Sequence, residues 1–321
     1  MAQGVFCRMN FPPLVLLLVA LLASVGARAQ AGPVPSQITA LATDAQVLAL
    51  VRPFWWEFEQ LVLGDSARSV YQPYARTAFR WQGKTWYRAD LDGNGWPDLV
   101  VAGRRKDIPF VFCVLDSGRN RLHVVRNFYS ALDERQPMAR VVQKQGKSML
   151  YYTSFAHRRG ASGELRGRRT LLLAYKGGGF IPYERRPTAH RIRSITYTSR
   201  LYYHGQRDIQ VAIDSTGLTR YSYRSAAADD TTASTQYRQQ QLRPDQRAEV
   251  AELLNYVRFA SCLPRYGTGN ENHRARVTLS VTYEGGRKTI RDSSGGGTLG
   301  LAQVYDWLEA LAAPLTGAKE N

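Results

Sequence analysis

Residues 87–103 read YRADLDGNGWPDLVVAG. Counted from Asp90, side chains with a ligating oxygen recur at the first, third, fifth and ninth places, as Asp90, Asp92, Asn94 and Asp98. The seventh place is Trp96, whose backbone carbonyl is the donor such a loop uses there. Alternate side chains on a tight loop converge, and calcium (Ca2+) takes about six to eight hard oxygens. Gly95 allows a sharp turn with positive φ. Asn94 adds an oxygen without adding a fourth negative charge. The twelfth place is Val101, where a helix-loop-helix calcium site carries a bidentate glutamate, and both flanks have strand patterning, so an EF-hand is excluded. The competing reading is a metal-free turn. Its aspartates would bond their own backbone, with Arg88, Arg104 or Arg105 neutralising them.

The string D-x-D-G-x-G-x-x-D-L-V-V over residues 90–101 resembles a single FG-GAP or VCBS-type repeat of β-propeller and extracellular adhesive proteins. That resemblance implies a structural calcium ion held by Asp90, Asp92, Asn94, Asp98 and the carbonyl of Trp96. No second copy of the string occurs, so a full propeller is not expected.

Other chemistry is sparse. His123, His157, His190, His204 and His273 stand in no metal-binding spacing, and no G-x-S-x-G elbow occurs. Gly295, Gly297 and Gly300 spell G-x-G-x-x-G, but the chain ends after one more helix, so the dinucleotide reading is rejected. Cys113 and Cys262 either pair in an oxidising compartment or stand as two separate thiols. Trp55, Trp56, Trp81, Trp86 and Trp96 crowd one region, as core or as sugar-stacking platforms.

The chain is strongly basic, with a formal net charge of +17. Arginines concentrate over residues 157–200, and Arg158, Arg159, Arg166, Arg168, Arg169, Arg185 and Arg186 form a candidate anion-binding set. The alternatives are an ordinary solvated surface and a docking site for an anionic polysaccharide or another envelope protein. Nucleic acid is not expected as a partner.

At the N-terminus, Arg8, the apolar run Leu14–Val25 and Ala27-Arg28-Ala29 have the layout of a secretory signal peptide over residues 1–29. The expectation is therefore a secreted or periplasmic protein with no transmembrane segment after cleavage.

The elements that must position the acidic loop follow from periodicity. Helical spacing runs over residues 34–64, capped at Thr43 and kinked at Pro53. Period-two patterning then predicts a hairpin over 78–89 and strands near 99–102, 109–115, 122–126, 139–143, 148–155 and 170–175. Pro182–Pro187 is a candidate boundary. Beyond it, strands at 192–198, 208–213 and 218–223 precede a loop over 226–234 and a helix opened by Pro244. Two more strands and a final helix follow. The fold class is α+β: an N-terminal helix plus a β-rich meander over 34–185, then a small βββαββα domain over 190–315 with two helices on a sheet.

Within 190–313, the strings at 192–198, 208–223, 259–266 and 277–292 resemble an uncharacterised secreted domain common in Bacteroidetes. That family's C-x-G-x-C-P stretch is absent, its place being taken by Tyr202–Asp208. The resemblance implies the α+β layout and no known activity. The leading functional expectation is a non-catalytic binding or envelope-structural protein. The alternatives are a secreted hydrolase with a site assembled from scattered residues, and an inhibitor or partner of another secreted protein.

Overall fold

A computed structural model describes residues 35–63, 84–105, 108–125, 134–156, 168–201, 205–227, 234–267, 275–293 and 297–316. The described residues from Ser36 onward form one compact unit. The expected signal peptide, and the first strand of the expected 78–89 hairpin with Trp81, lie outside the described residues.

The chain enters through a 3₁₀ turn at Gln37–Ala40 and helix α1, Asp44–Val51. Thr43 and Gln46 form a reciprocal capping box at its start. The expected helix does not continue. Pro53 lacks an N–H and interrupts the α-helical ladder. The chain passes instead through 3₁₀ turns at Arg52–Phe54 and Trp56–Gln60 into a short strand, β1, Val62–Leu63.

Three sheets follow. The first has five strands: β1, β2 (Trp86–Ala89), β3 (Asp98–Arg105), β4 (Ile108–Asp116) and β5 (Leu122–Val125). β1 and β2 lie end to end along one edge of β3, pairing with its last and first residues respectively. The other edge of β3 pairs with β4, and β4 with β5. A four-stranded meander comes next: β6 (Glu134–Lys144), β7 (Lys147–Ala156), β8 (Arg168–Lys176) and β9 (Gly179–Pro182).

The third sheet has seven strands in the order β13-β12-β11-β10-β15-β16-β14. They are β10 (Ile192–Leu201), β11 (Gly205–Ile213), β12 (Leu218–Ala227), β13 (Ser234–Gln241), β14 (Arg265–Tyr266), β15 (Arg276–Tyr283) and β16 (Gly286–Asp292). Helices α2 (Pro244–Tyr256) and α3 (Leu299–Thr316) complete it. The architecture is a β-rich α+β fold. Four strands, not three, precede α2, and a two-residue strand follows it. β13 starts at the last residue of the expected loop, and its side chains are exposed along almost its whole length.

Burial explains the layering. Leu99, Val101, Phe112 and Val114 face the N-terminal turns, meeting Ile38, Val47, Val51, Phe58 and Leu61. The alternate residues Val100, Ala102, Val111, Cys113 and Leu115 face the meander and meet Ala139, Leu150, Tyr152 and Phe180. β3 is thus covered on both faces, which is why it reads as a continuous apolar run rather than an alternating one. In the third sheet only one face is apolar, and α2 and α3 cover it. The cores interlock: Ile181 of β9 packs with the α2/α3 cluster, and Leu299 of α3 packs with the first two sheets.

Both described cysteines are free thiols, Cys113 fully buried under the meander and Cys262 half-buried in the C-terminal part. Burial pushes both thiols' pKa up, so neither is activated. The tryptophans divide. Trp55 and Trp86 pack against the N-terminal core, while Trp56 is 65 % exposed under the Arg105 guanidinium.

Candidate metal centre

The acidic loop is the turn between β2 and β3, closed by the Ala89–Asp98 cross-strand pair. Within it Gly93 and Gly95 both have positive φ, at 82° and 87°, where a side chain would be strained. This path turns side chains inward. One carboxylate oxygen from each of Asp90, Asp92 and Asp98 lies within 4.8 Å of the others.

Each carboxylate is also oriented by the backbone. Asp90 Oδ1 accepts from the Gly93 N–H at 2.7 Å and the Asn94 N–H at 3.1 Å, and its Oδ2 accepts from Gly95 N–H at 3.0 Å. Asp92 Oδ1 accepts from Asn94 N–H, and its Oδ2 from the Asn94 side-chain amide at 2.9 Å. Asp98 joins two turns: Oδ2 accepts from Leu91 N–H at 2.7 Å and Oδ1 from Asp116 N–H at 2.9 Å. A carboxylate oxygen has two lone pairs, so these bonds leave capacity for a cation.

Of the expected ligands, the structure brings Asp90, Asp92 and Asp98 together. Asn94 takes a different part. Its Oδ1 accepts from Trp96 N–H at 2.7 Å, and its amide nitrogen donates to Asp92 and to the Asp116 carbonyl at 2.8 Å. It staples the loop to the end of β4. The Trp96 indole lies over the next turn, so close that a Cβ on Gly118 would sit 2.9 Å from its ring nitrogen.

Asp116 was not among the expected site residues. It ends β4, fully buried, with Oδ1 accepting from Gly118 N–H at 2.8 Å and Oδ2 buried without a hydrogen-bond partner. Its clue in the sequence is an aspartate directly after the apolar run Val111–Leu115, which reads equally well as the start of a turn.

The charges are unbalanced. Burial, reinforced by Asp92 and Asp90, pushes the Asp98 pKa up to about 7 against the N–H groups that hold it down. Burial likewise raises Asp92, with Asp90 adding to the effect. No ion pair from an arginine or lysine reaches these three among the described residues. Arg88 donates to the Thr39 carbonyl, and Arg105 pairs with Glu57 at 2.7 Å. Arg104 stands at the far end of β3, opposite Val62. An all-oxygen donor set without nitrogen or sulfur suits a hard cation such as calcium or magnesium rather than zinc.

Beside the loop runs a cleft. Asp92, Lys176, Glu249 and Glu252 line a cavity of about 220 Å³. Gly177 and Glu249 connect it to a cavity of about 580 Å³, which His123, Gln303, Asp306 and Trp307 also line.

The arginines expected to gather over 157–200 are not brought into one described cluster. Arg158, Arg159 and Arg166 lie outside the described residues. Arg168 and Arg169 open β8, opposite Phe155 and Ser154. Arg185 and Arg186 are exposed in the connection from β9 to β10.

Compared with protein-family models, curated proteins and solved structures, the chain matches none.

Proposed function

We propose that the 90–98 loop is a structural calcium site of the FG-GAP/VCBS kind, and that the protein is a secreted, non-catalytic binding or envelope-structural protein. The observation that carries the metal reading is the convergence of three carboxylates, one of them buried, with no arginine or lysine in ion-pair contact with them among the described residues. Asp90, Asp92 and Asp98 would hold the ion, and the Trp96 carbonyl and a turned Asn94 amide are the further oxygens the loop offers. The ion supplies positive charge and nothing else. The chain's own groups do the rest: Asp98 ties the loop to the end of β4, and Asn94 repeats that tie. Calcium would thereby lock the β2–β3 turn onto the β4–β5 turn.

Terbium is a calcium surrogate whose emission a nearby tryptophan sensitises. Terbium emission should rise on mixing with the protein, fall on adding calcium, and be lost in Asp92→Ala. Emission that Asp92→Ala leaves unchanged would sink the assignment.

A hydrolase remains the second reading, favoured by the cleft that places His123, Glu249 and Asp306 around one cavity. Hydrolysis of a chromogenic ester or glycoside abolished by His123→Ala would replace the non-catalytic reading.

A further inference from the structure

The seven-stranded sheet has one face under α2 and α3 and one face open to solvent. An open face on an antiparallel sheet is ordinary. Its charge is not. Reading outward positions through the strand registers, Arg265, Arg291, Arg276, Arg200, Arg224 and Arg220 all emerge on it, and all are exposed. Arg287 joins them, donating to Ser280 Oγ at 2.8 Å. Among the described residues the only acid at an outward position of this sheet is Asp208, which is buried, stands opposite both Arg200 and Arg224, and pairs with the Arg200 guanidinium at 3.8 Å.

Register sharpens the point. Arg200 stands directly opposite Arg276, and Arg265 directly opposite Arg291. Like charges in direct cross-strand register are destabilising. Asp208 offsets Arg200, but with one described acid against seven arginines the face holds positive potential that an anion would relieve. Arg265, Arg276 and Arg291 also surround a cavity of about 380 Å³, which Thr278, Ser293 and a single carboxylate, Asp292, also line.

We infer that this face docks an anionic polysaccharide, with the Arg265/Arg276/Arg291 cavity holding one of its carboxylate or sulfate groups. The inference rests on reading the protein as a binding protein, and it is independent of the calcium site. The class of partner follows from what lies between the charges. Thr196, Thr198, Gln210, Ser222 and Thr278 supply hydroxyls and an amide suited to sugar hydroxyls. Neighbouring strands lie about 4.8 Å apart, so the run from β14 to β12 spans about 24 Å, the length of several saccharides. Tyr237 on the edge strand β13, 79 % exposed, is the one aromatic at an outward position among the described residues, placed to stack on a sugar. Single-stranded nucleic acid requires a series of aromatic platforms, and duplex requires an element that enters a groove. Among the described residues a sheet face with one tyrosine has neither.

The test is binding of the full chain to immobilised heparin and polygalacturonate, with neutral dextran and single-stranded DNA as comparisons. Wild type should bind the two acidic polysaccharides, and added salt should weaken the binding. The triple variant Arg265→Ser/Arg276→Ser/Arg291→Ser and, independently, Arg200→Ser/Arg224→Ser should each lose about tenfold or more in affinity. Arg185→Ser/Arg186→Ser should bind as wild type does. Relief of the opposed pairs predicts that the triple variant melts no lower than wild type, so lost binding cannot be ascribed to unfolding. Wild type that ignores both acidic polymers would overturn the binding-protein reading itself. Wild type that binds, with both variants unimpaired, would overturn this face as the site. Tighter binding to DNA than to either polysaccharide would overturn the choice of partner.

Discussion

A carboxylate with no exposed surface needs a reason to remain charged. Asp98 has two backbone N–H groups and, against them, burial and two neighbouring aspartates. Its pKa is raised from 3.8 to about 7, so the folded state binds a proton that the unfolded state releases. That contribution to stability is complete below about pH 4 and disappears as pH rises through about 7. In chelator, wild type should therefore lose stability between pH 4 and 7 relative to Asp98→Asn, which cannot titrate. The difference should amount to a few kcal/mol at most. Denaturant melts at several pH values check this, and parallel pH profiles for the two proteins would contradict it. Saturating calcium should remove the wild-type decline, because a bound cation takes the proton's place. The three converging aspartates were legible in the sequence because their spacing is local. Asp116 was not, because only the β3–β4 pairing carries it to the loop.

Among the elements, β3 connects the most parts: it begins with Asp98, one of the three converging carboxylates, is buried on both faces and accepts β1 and β2 along one edge. Gly103 makes the β1 contact possible. A Cβ there would stand 2.8 Å from the Val62 carbonyl oxygen, a backbone atom that cannot swing away. Gly103→Ala should cost about 1–3 kcal/mol in a denaturant melt. No loss would mean that β1 is not docked as described. Most strands were legible from alternation or apolar runs. β13 was not, since STQYRQQQ on an exposed edge has no apolar face to alternate. Nor was the end of α1: helical spacing continues through Phe58 and Leu61, but those side chains reach the core from 3₁₀ and extended backbone.

At the scale of the molecule, the cores are shared across the stretch at 182–187 where the sheets change. Ile181 and Leu299 each belong to a cluster built mainly from the other part of the chain. Leu299→Ala should therefore lower the stability of both parts together, by about 2–5 kcal/mol, within a single calorimetric transition. Two transitions, one unmoved, would show that the parts unfold separately. The basic character was legible as a total, but its address was not. Arginine density along the chain points to 157–200, whereas strand pairing assembles a face from residues between 200 and 291, each diluted locally by alternation. No helix among the described residues is long and apolar enough to cross a membrane.

The central claim is that a cation completes the 90–98 loop, and its most direct measurement is thermal melting at pH 7.5 in 5 mM calcium and in chelator. Extracellular sites of this class bind at about 10⁻⁴–10⁻³ M. Linkage then gives about 1–2 kcal/mol of added stability, or roughly 2–6 °C for a domain of this size. Wild type should show that rise, and Asp92→Ala should not. Identical melting of wild type in calcium and chelator would contradict the account.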